Sequence, residues 1–326
     1  EINLATYNRL KLDENKMRDM IKGIYDLIKL EDPNNKVFWK KELDNNLVLT
    51  KISTPIGVIG VIFEARPDCL AQISSLVIKS GNCAILKGGS ESYNTNTKIY
   101  SLIQEVLKEV QDYPKEAINL IFSRDDVKKM LEADKFIDLI IPRGSNALVK
   151  FIKENTKIPV LGHASGICHI FVDESADNEN AKKIVLDAKT QYPSACNAVE
   201  TLLAHKNYPY LEELKEFLKS SGVEIVENPE TFEKEYGDKI LSLKVVNDIN
   251  EAIEHINAFG SHHTDSILSK NEENIEKFMK LVDSASVFSN CSTRFSDGFR
   301  YGFGAEVGIS TNKTHARGPV GLEGLI

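Results

Sequence analysis

No run of about 20 apolar residues, the length a helix needs to cross a bilayer, occurs anywhere in this sequence. The start, Glu1-Ile2-Asn3, also lacks the basic and apolar parts of a signal peptide, so cytoplasmic placement is the expectation. Cysteine is sparse: Cys69, Cys83, Cys168, Cys196 and Cys291 are odd in number and scattered, with no CxxC pair and no HExxH-like histidine spacing. That excludes a disulfide framework and a zinc site legible from spacing, and leaves free thiols in a reducing compartment. Basic residues are outnumbered, and a formal net charge of −8 without a local basic patch argues against nucleic acid or a membrane surface as partner. Gly-x-Gly-x-x-Gly is absent as well, which removes the common dinucleotide fingerprint but not the fold that carries it.

The residues present are those of a globular enzyme. With 42% hydrophobic and 27% charged residues over 326 positions, the whole chain should fold, as two domains each burying its own core. Apolar positions at helical spacing over 16–30 predict a helix, and Val37–Trp39 and Leu47–Ile52, flanking Asp44-Asn45-Asn46, predict a hairpin. IGVIGVIF from Ile56 reads as a fully buried parallel strand, followed by a helix over 70–79 that Gly81 stops, and then by the strand CAILK. Helices over 97–110 and 125–133 alternate with strands INLIF and FIDLII, and IPVL and ICHIFV read as two more strands. A second alternation follows a helix over 178–189, with a helix over 209–219 closed by Gly222 and another opened by Asp248 and Glu251 at capping-box spacing. The pattern predicts an α/β chain of doubly wound parallel sheets, with a domain boundary near residue 190 and a nucleotide beyond the strands' C-terminal ends.

Two loops at strand ends could offer backbone N–H groups to a cofactor phosphate: Lys87-Gly88-Gly89-Ser90 and Pro142-Arg143-Gly144-Ser145. Lys87 alone reads as readily as a solvated lysine ending a strand. Cys196 stands in a loop between a helix and a strand, where nucleophiles are often presented. By position alone, though, it reads as one of five small buried hydrophobes. His262-His263-Thr264-Asp265 is the densest polar group, and read without context it is a surface turn.

Taken together, TPIGVIGVIFEARPD, CAILKGGSES, LIIPRGS, ICHIFVDESAD, AKTQYPSACNAVETLL and FGAEVGISTNKTHARGPVGLEGL resemble the gamma-glutamyl phosphate reductase family, also called glutamate-5-semialdehyde dehydrogenases, of the aldehyde dehydrogenase superfamily. The stretch 246–267 matches in Val246, Ala252, His255, Ile256, Gly260, Ser261, His263, Thr264 and Asp265 but has Phe259 where His or Tyr is usual. The resemblance implies an aldehyde-dehydrogenase-like fold with a cofactor domain over 1–189, a catalytic domain over 190–300 and a return segment over 301–326. It further implies a homo-oligomer built through a small sheet that includes the hairpin at 36–53. By similarity, Cys196 is the nucleophile, Lys87 contacts the adenosine ribose, Glu235 holds the nicotinamide ribose, and His263, Thr264 and Asp265 belong to a substrate-binding segment.

Two departures from hydrolytic aldehyde dehydrogenases bear on mechanism. Val160 occupies the place of their water-activating glutamate, and Arg66 falls near their oxyanion-hole asparagine. Without that base, a Cys196 thioester is expected to be reduced rather than hydrolysed, with Arg66 stabilising the oxyanion or the departing phosphate. The implied reaction reduces gamma-glutamyl phosphate to glutamate 5-semialdehyde and phosphate with NADPH, in proline biosynthesis, with a glutamate kinase as a possible partner. NADP over NAD is read from glycines and Ser90 standing where NAD-preferring relatives often put a glutamate, although Glu91 is one position on. Oxidation of another aldehyde and a catalytically silent dinucleotide-binding module remain the alternatives. How the thiol is ionised is not visible in the sequence.

Overall fold

In the computed structural model, all residues are described except 1–6, 8, 9, 67, 112, 164, 304 and 314. The chain forms two compact units, one of Glu1–Gly162 with Gly298–Ile309 and Thr314–Ile326, the other of His163–Asp297 with Ser310–Lys313. The division therefore falls at 162/163 and not near 190. The strand at 168–172 and the helix at 178–190 belong to the second unit, because that strand pairs on both sides with strands of the second sheet.

The first unit carries a parallel sheet ordered β5 (Ile118–Ile121), β4 (Cys83–Lys87), β3 (Val58–Phe63), β6 (Leu139–Arg143). Alternate residues of β3 serve opposite faces. Ile59, Val61 and Phe63 pack with Leu70, Ile73 and Leu76 of α2 (Cys69–Lys79), while Ile62 packs with Met130 of α4 (Arg124–Glu132) and Ile152 of α5 (Asn146–Glu154). Helices on both faces explain why IGVIGVIF has no polar alternation. Full burial of each such side chain contributes about 1.5–3 kcal/mol. The expected strand IPVL is not one: Val160 makes a single bridge to Ile140 at the sheet margin.

The second unit carries six strands ordered β12 (Ser286–Ser289), β11 (Thr264–Leu268), β7 (Cys168–Val172), β8 (Val199–His205), β10 (Ile240–Val246), β9 (Glu224–Glu227), parallel throughout. Here too the faces alternate, with Ile170, Val172, Leu202 and Ala204 in one core and Phe171 and Leu203 in the other. The helix expected from Asp248 runs Ile249–Phe259. Asp248 accepts the Asn250 and Glu251 N–H groups, and the Glu251 carboxylate reaches back to the Asn247 N–H at 2.8 Å rather than to Asp248 itself.

The hairpin is present, as β1 (Val37–Asp44) and β2 (Leu47–Ile52), antiparallel around Asn46 at φ +61°. Every residue in both strands is exposed, including Phe38, Trp39, Leu43, Val48 and Leu49. Among the described residues no helix is long and apolar enough to cross a membrane.

Candidate active site

Strands β11, β7 and β8 are neighbours running the same way, so residues just before each of them gather at one edge of the second sheet. His263 immediately precedes β11, His163 lies five residues before β7, and Cys196 three before β8. Their ligand-capable atoms, two ring nitrogens and the sulfur, lie within 4.8 Å of one another. The two imidazoles meet edge to face, with centroids 4.7 Å apart. The reactive cluster thus sits at the N-terminal edge, opposite to the edge that the strand-end rule for nucleotides points to.

The backbone around the thiol is fixed by close packing. A Cβ on Gly166 would stand 2.7 Å from the Cys196 carbonyl carbon, so only glycine lets the two segments touch. The Cys168 thiol donates to the Cys196 carbonyl at 3.3 Å, and the Ser261 hydroxyl accepts the Ile167 N–H at 2.8 Å, tying the approaches to β7 and β11 together. On the other side, buried Asn197 donates to the Ser296 carbonyl at 2.8 Å and accepts from Arg294, whose Nε donates to Gln191 at 2.9 Å. Gly166→Ala is expected to displace Cys196 and lower kcat on the order of 100-fold, since shifts of about 1 Å at a reacting atom cost that much. Steady-state kinetics beside a thermal melt checks this, and unchanged kcat would contradict it.

Burial pushes the Cys196 thiol up, but the attraction of His263 and then His163, with hydrogen bonds from both, overrides it and holds the thiol well below its ordinary value. The contrast with other thiols is informative. Burial pushes Cys69 up, and Cys168 well up with help from Asp265. Of these three, Cys196 alone is set up as a nucleophile at neutral pH. Its alkylation by iodoacetamide should stay fast as pH is lowered below 7 and fall only as pH drops through the depressed value. Replacing His163 and His263 by alanine together should move the profile up to that of an ordinary thiol, about 8.5, or beyond it, because burial then acts unopposed. A wild-type profile with an ordinary thiol midpoint would refute the assignment.

The other expected residues divide between two roles. His263 lies in the cluster, but Thr264 and Asp265 do not form the surface turn that the polar run suggests when read without context. Both are fully buried in β11, where Asp265 accepts the His169 N–H at 2.7 Å and the Ser284 hydroxyl, and Thr264 Oγ1 pairs with His263 Nδ1 at 2.8 Å. A strand inside a parallel sheet satisfies such polar groups internally, which sequence polarity does not reveal. Glu235 lies in the loop before β10, next to Tyr236 and Gly237, whose N–H groups donate to buried Glu200 at 3.2 and 3.3 Å. Phe259, the departure from the family pattern, packs on His255 and Phe232 with centroids 4.7 and 6.0 Å apart.

In the first unit, Lys87 ends β4, and Arg66 and Gly144-Ser145 follow the C-terminal ends of β3 and β6. That is the edge, and the point of reversal in strand order, where a dinucleotide is held in such sheets. Lys87 is half-buried, and its ammonium has no hydrogen bond or ion pair among the described residues, which suits a ribose or phosphate ligand. Arg66 is likewise half-buried without a side-chain partner among them. Arg143 differs, since its guanidinium is spent on the Glu306 carbonyl at 2.8 Å and carboxylate at 3.3 Å. Pro142 lies within β6 opposite Ile62, and the Ser145 N–H is taken by Glu64 at 2.8 Å. Gly88 and Gly89 are overlaid by Asn96 and Glu91, and the Glu91 carboxylate accepts the Ala65 N–H at 2.6 Å, leaving exposed Ser90 as the polar group there.

A model of the aldehyde dehydrogenase family matches residues 11–237. The gamma-glutamyl phosphate reductase of Brachyspira hyodysenteriae is 60% identical over 341 residues, covering all of this chain and 79% of the relative; that of Acetivibrio thermocellus is 56% identical, covering 98% and 77%. The crystal structure of the Thermotoga maritima gamma-glutamyl phosphate reductase superposes with a TM-score of 0.95 at 39% identity, over 99% of this chain and 82% of that one. An acetylating aldehyde dehydrogenase of Geobacillus thermoglucosidasius shares the fold, with a TM-score of 0.72 at 15% identity over 98% and 92%.

Proposed function

This chain belongs to the gamma-glutamyl phosphate reductases of the aldehyde dehydrogenase family, and from that premise we propose that it reduces gamma-glutamyl phosphate to glutamate 5-semialdehyde through a Cys196 thioester. The observation that carries the reading is the thiol held below its ordinary value between His163 and His263.

The thiolate attacks the acyl carbon, the tetrahedral oxyanion collapses and phosphate leaves, so one C–S bond replaces one C–O bond. A nicotinamide dinucleotide supplies the hydride when bound, and the Lys87 ammonium and exposed Ser90 offer it contacts. Once the thioester carbonyl has been reduced, the thiohemiacetal oxygen loses its proton and the C–S bond breaks, releasing the aldehyde and restoring the thiolate that His163 and His263 stabilise. Either imidazole is near enough to the sulfur to exchange a proton with it, a contribution of about 10²–10⁴-fold. Val160 packs against the apolar cluster of Ile62, Ile140, Ile152 and Ile158 and offers no carboxylate to activate water. Arg66, in this reading, neutralises the departing phosphate.

NADPH is the proposed reductant, on the strength of Lys87 and Ser90; Glu91 is held away by the Ala65 N–H. A glutamate kinase with ATP and glutamate can supply the unstable acyl phosphate. NADPH oxidation should then depend on the kinase and yield the aldehyde, with kcat/KM for NADPH at least about tenfold above that for NADH, about 1.4 kcal/mol for the contact to the 2'-phosphate that NADH lacks. Kinase-independent oxidation, or equal use of NADH, would contradict these assignments. The wholly exposed apolar hairpin supports a homo-oligomer, because an isolated two-stranded ribbon is marginal in water until another surface covers it.

A further inference from the structure

We infer that His163, Cys196 and His263 together form a reversible zinc site whose occupancy switches the nucleophile off. Its donor set is two imidazoles and a thiolate without a carboxylate, which selects a borderline metal such as Zn²⁺ over Mg²⁺ or Ca²⁺. The three donors already lie within 4.8 Å of one another. Bonds of about 2.0–2.3 Å in tetrahedral geometry bring donors to about 3.5 Å apart, a contraction of about an ångström. Rotation of the half-buried His163 and Cys196 side chains can supply it while the packed backbone stays in place. A second observation points the same way: His263 Nδ1 is fixed by Thr264 at 2.8 Å, and its buried Nε2 has no partner among the described residues apart from the Cys196 thiol itself. One nitrogen is thus oriented by the protein and the other left for the shared ligand site, as in metal-ligating histidines. The fourth position stays open to water or phosphate.

Zinc bound here occupies the sulfur lone pair that would attack the acyl carbon and both proton acceptors beside it, so bound metal and turnover exclude each other. No redox change is involved: Zn²⁺ displaces any proton on the donors, and a chelator reverses it. The inhibitory consequence rests on the proposed role of Cys196, whereas the binding does not, and the two are measured apart.

The test titrates Zn²⁺ into the full chain against a chromophoric chelator, maps iodoacetamide labelling of Cys196 by peptide mass, and follows reductase activity. The expectation is one zinc per chain with affinity rising with pH, protection of Cys196 and loss of activity with the same half-saturation, and recovery on adding EDTA. Cys196→Ser, His163→Ala and His263→Ala should each weaken binding at least about tenfold while the melt shows them folded. Undiminished zinc affinity in the three variants, or zinc bound with Cys196 still labelled, would overturn the site. Protection of Cys196 by zinc in a chain with no reductase activity would leave the site standing and sink the proposed function instead.

Discussion

Replacing Cys196 with serine is expected to lower kcat by at least about 10⁴-fold, the scale seen when a covalent nucleophile is removed. The effect should be confined to chemistry. The Cys196 carbonyl would keep its contact with the Cys168 thiol, and the Asn197 and Arg294 bonds that shape the loop would remain, so the melting temperature and NADPH affinity should change little. A hydroxyl beside the same histidines stays protonated where the thiol is ionised, and an alkoxide leaves the thiohemiacetal-like adduct poorly. Retention of a tenth of the activity would mean that hydride reaches the acyl phosphate directly and that no thioester lies on the path.

The second large effect is on stability. Lys189 and Glu200 form an ion pair at 2.9 Å, the two residues 0% and 1% exposed, and Glu200 also accepts the Tyr236 and Gly237 N–H groups. Burial pushes the Glu200 carboxyl up and the Lys189 ammonium down, each opposed by the other's charge. Lys189→Met strands the carboxylate and should cost about 3–5 kcal/mol, whereas adding Glu200→Leu should recover most of it, because a matched apolar pair replaces a buried ion pair at little cost. Melts or denaturant titrations of the two variants decide this. The single variant should also raise the KM for dinucleotide if Glu235, carried by the loop that Glu200 anchors, makes the nicotinamide-ribose contact proposed for it. If the single and double variants are equally destabilised, the pair does not behave as a unit.

Much of this architecture is legible in the residues. Apolar runs without alternation, as in IGVIGVIF and ICHIFV, reveal parallel strands covered on both faces, and Gly81 and Asp248 mark helix ends through backbone constraints that are local. Cys196 and His263 are visible only through the resemblance, and His163 is missed altogether. What joins them is strand order: 33 residues separate His163 from Cys196 and 67 separate Cys196 from His263, and only the adjacency of β11, β7 and β8 brings their leading ends together. A signal existed, since Gly-His in GHASGICH stands just before a strand as Cys196 does. The polar run His262 to Asp265 misleads in the opposite direction, because its hydrogen bonds are made inside the sheet. The boundary near 190 fails for a related reason: the helix at 178–190 has the same pattern whichever sheet it covers.

The central claim is that the acyl group on Cys196 leaves by exchange with phosphate and not by reaction with water. It is tested most directly in the reverse direction, by mixing the enzyme with NADP and glutamate 5-semialdehyde while phosphate is withheld, and recording NADPH from the first milliseconds. The account predicts a burst of one NADPH per active chain, a mass increase on the Cys196 peptide, and continued turnover only when phosphate is added. Steady NADPH formation without phosphate, with glutamate as product, would contradict it.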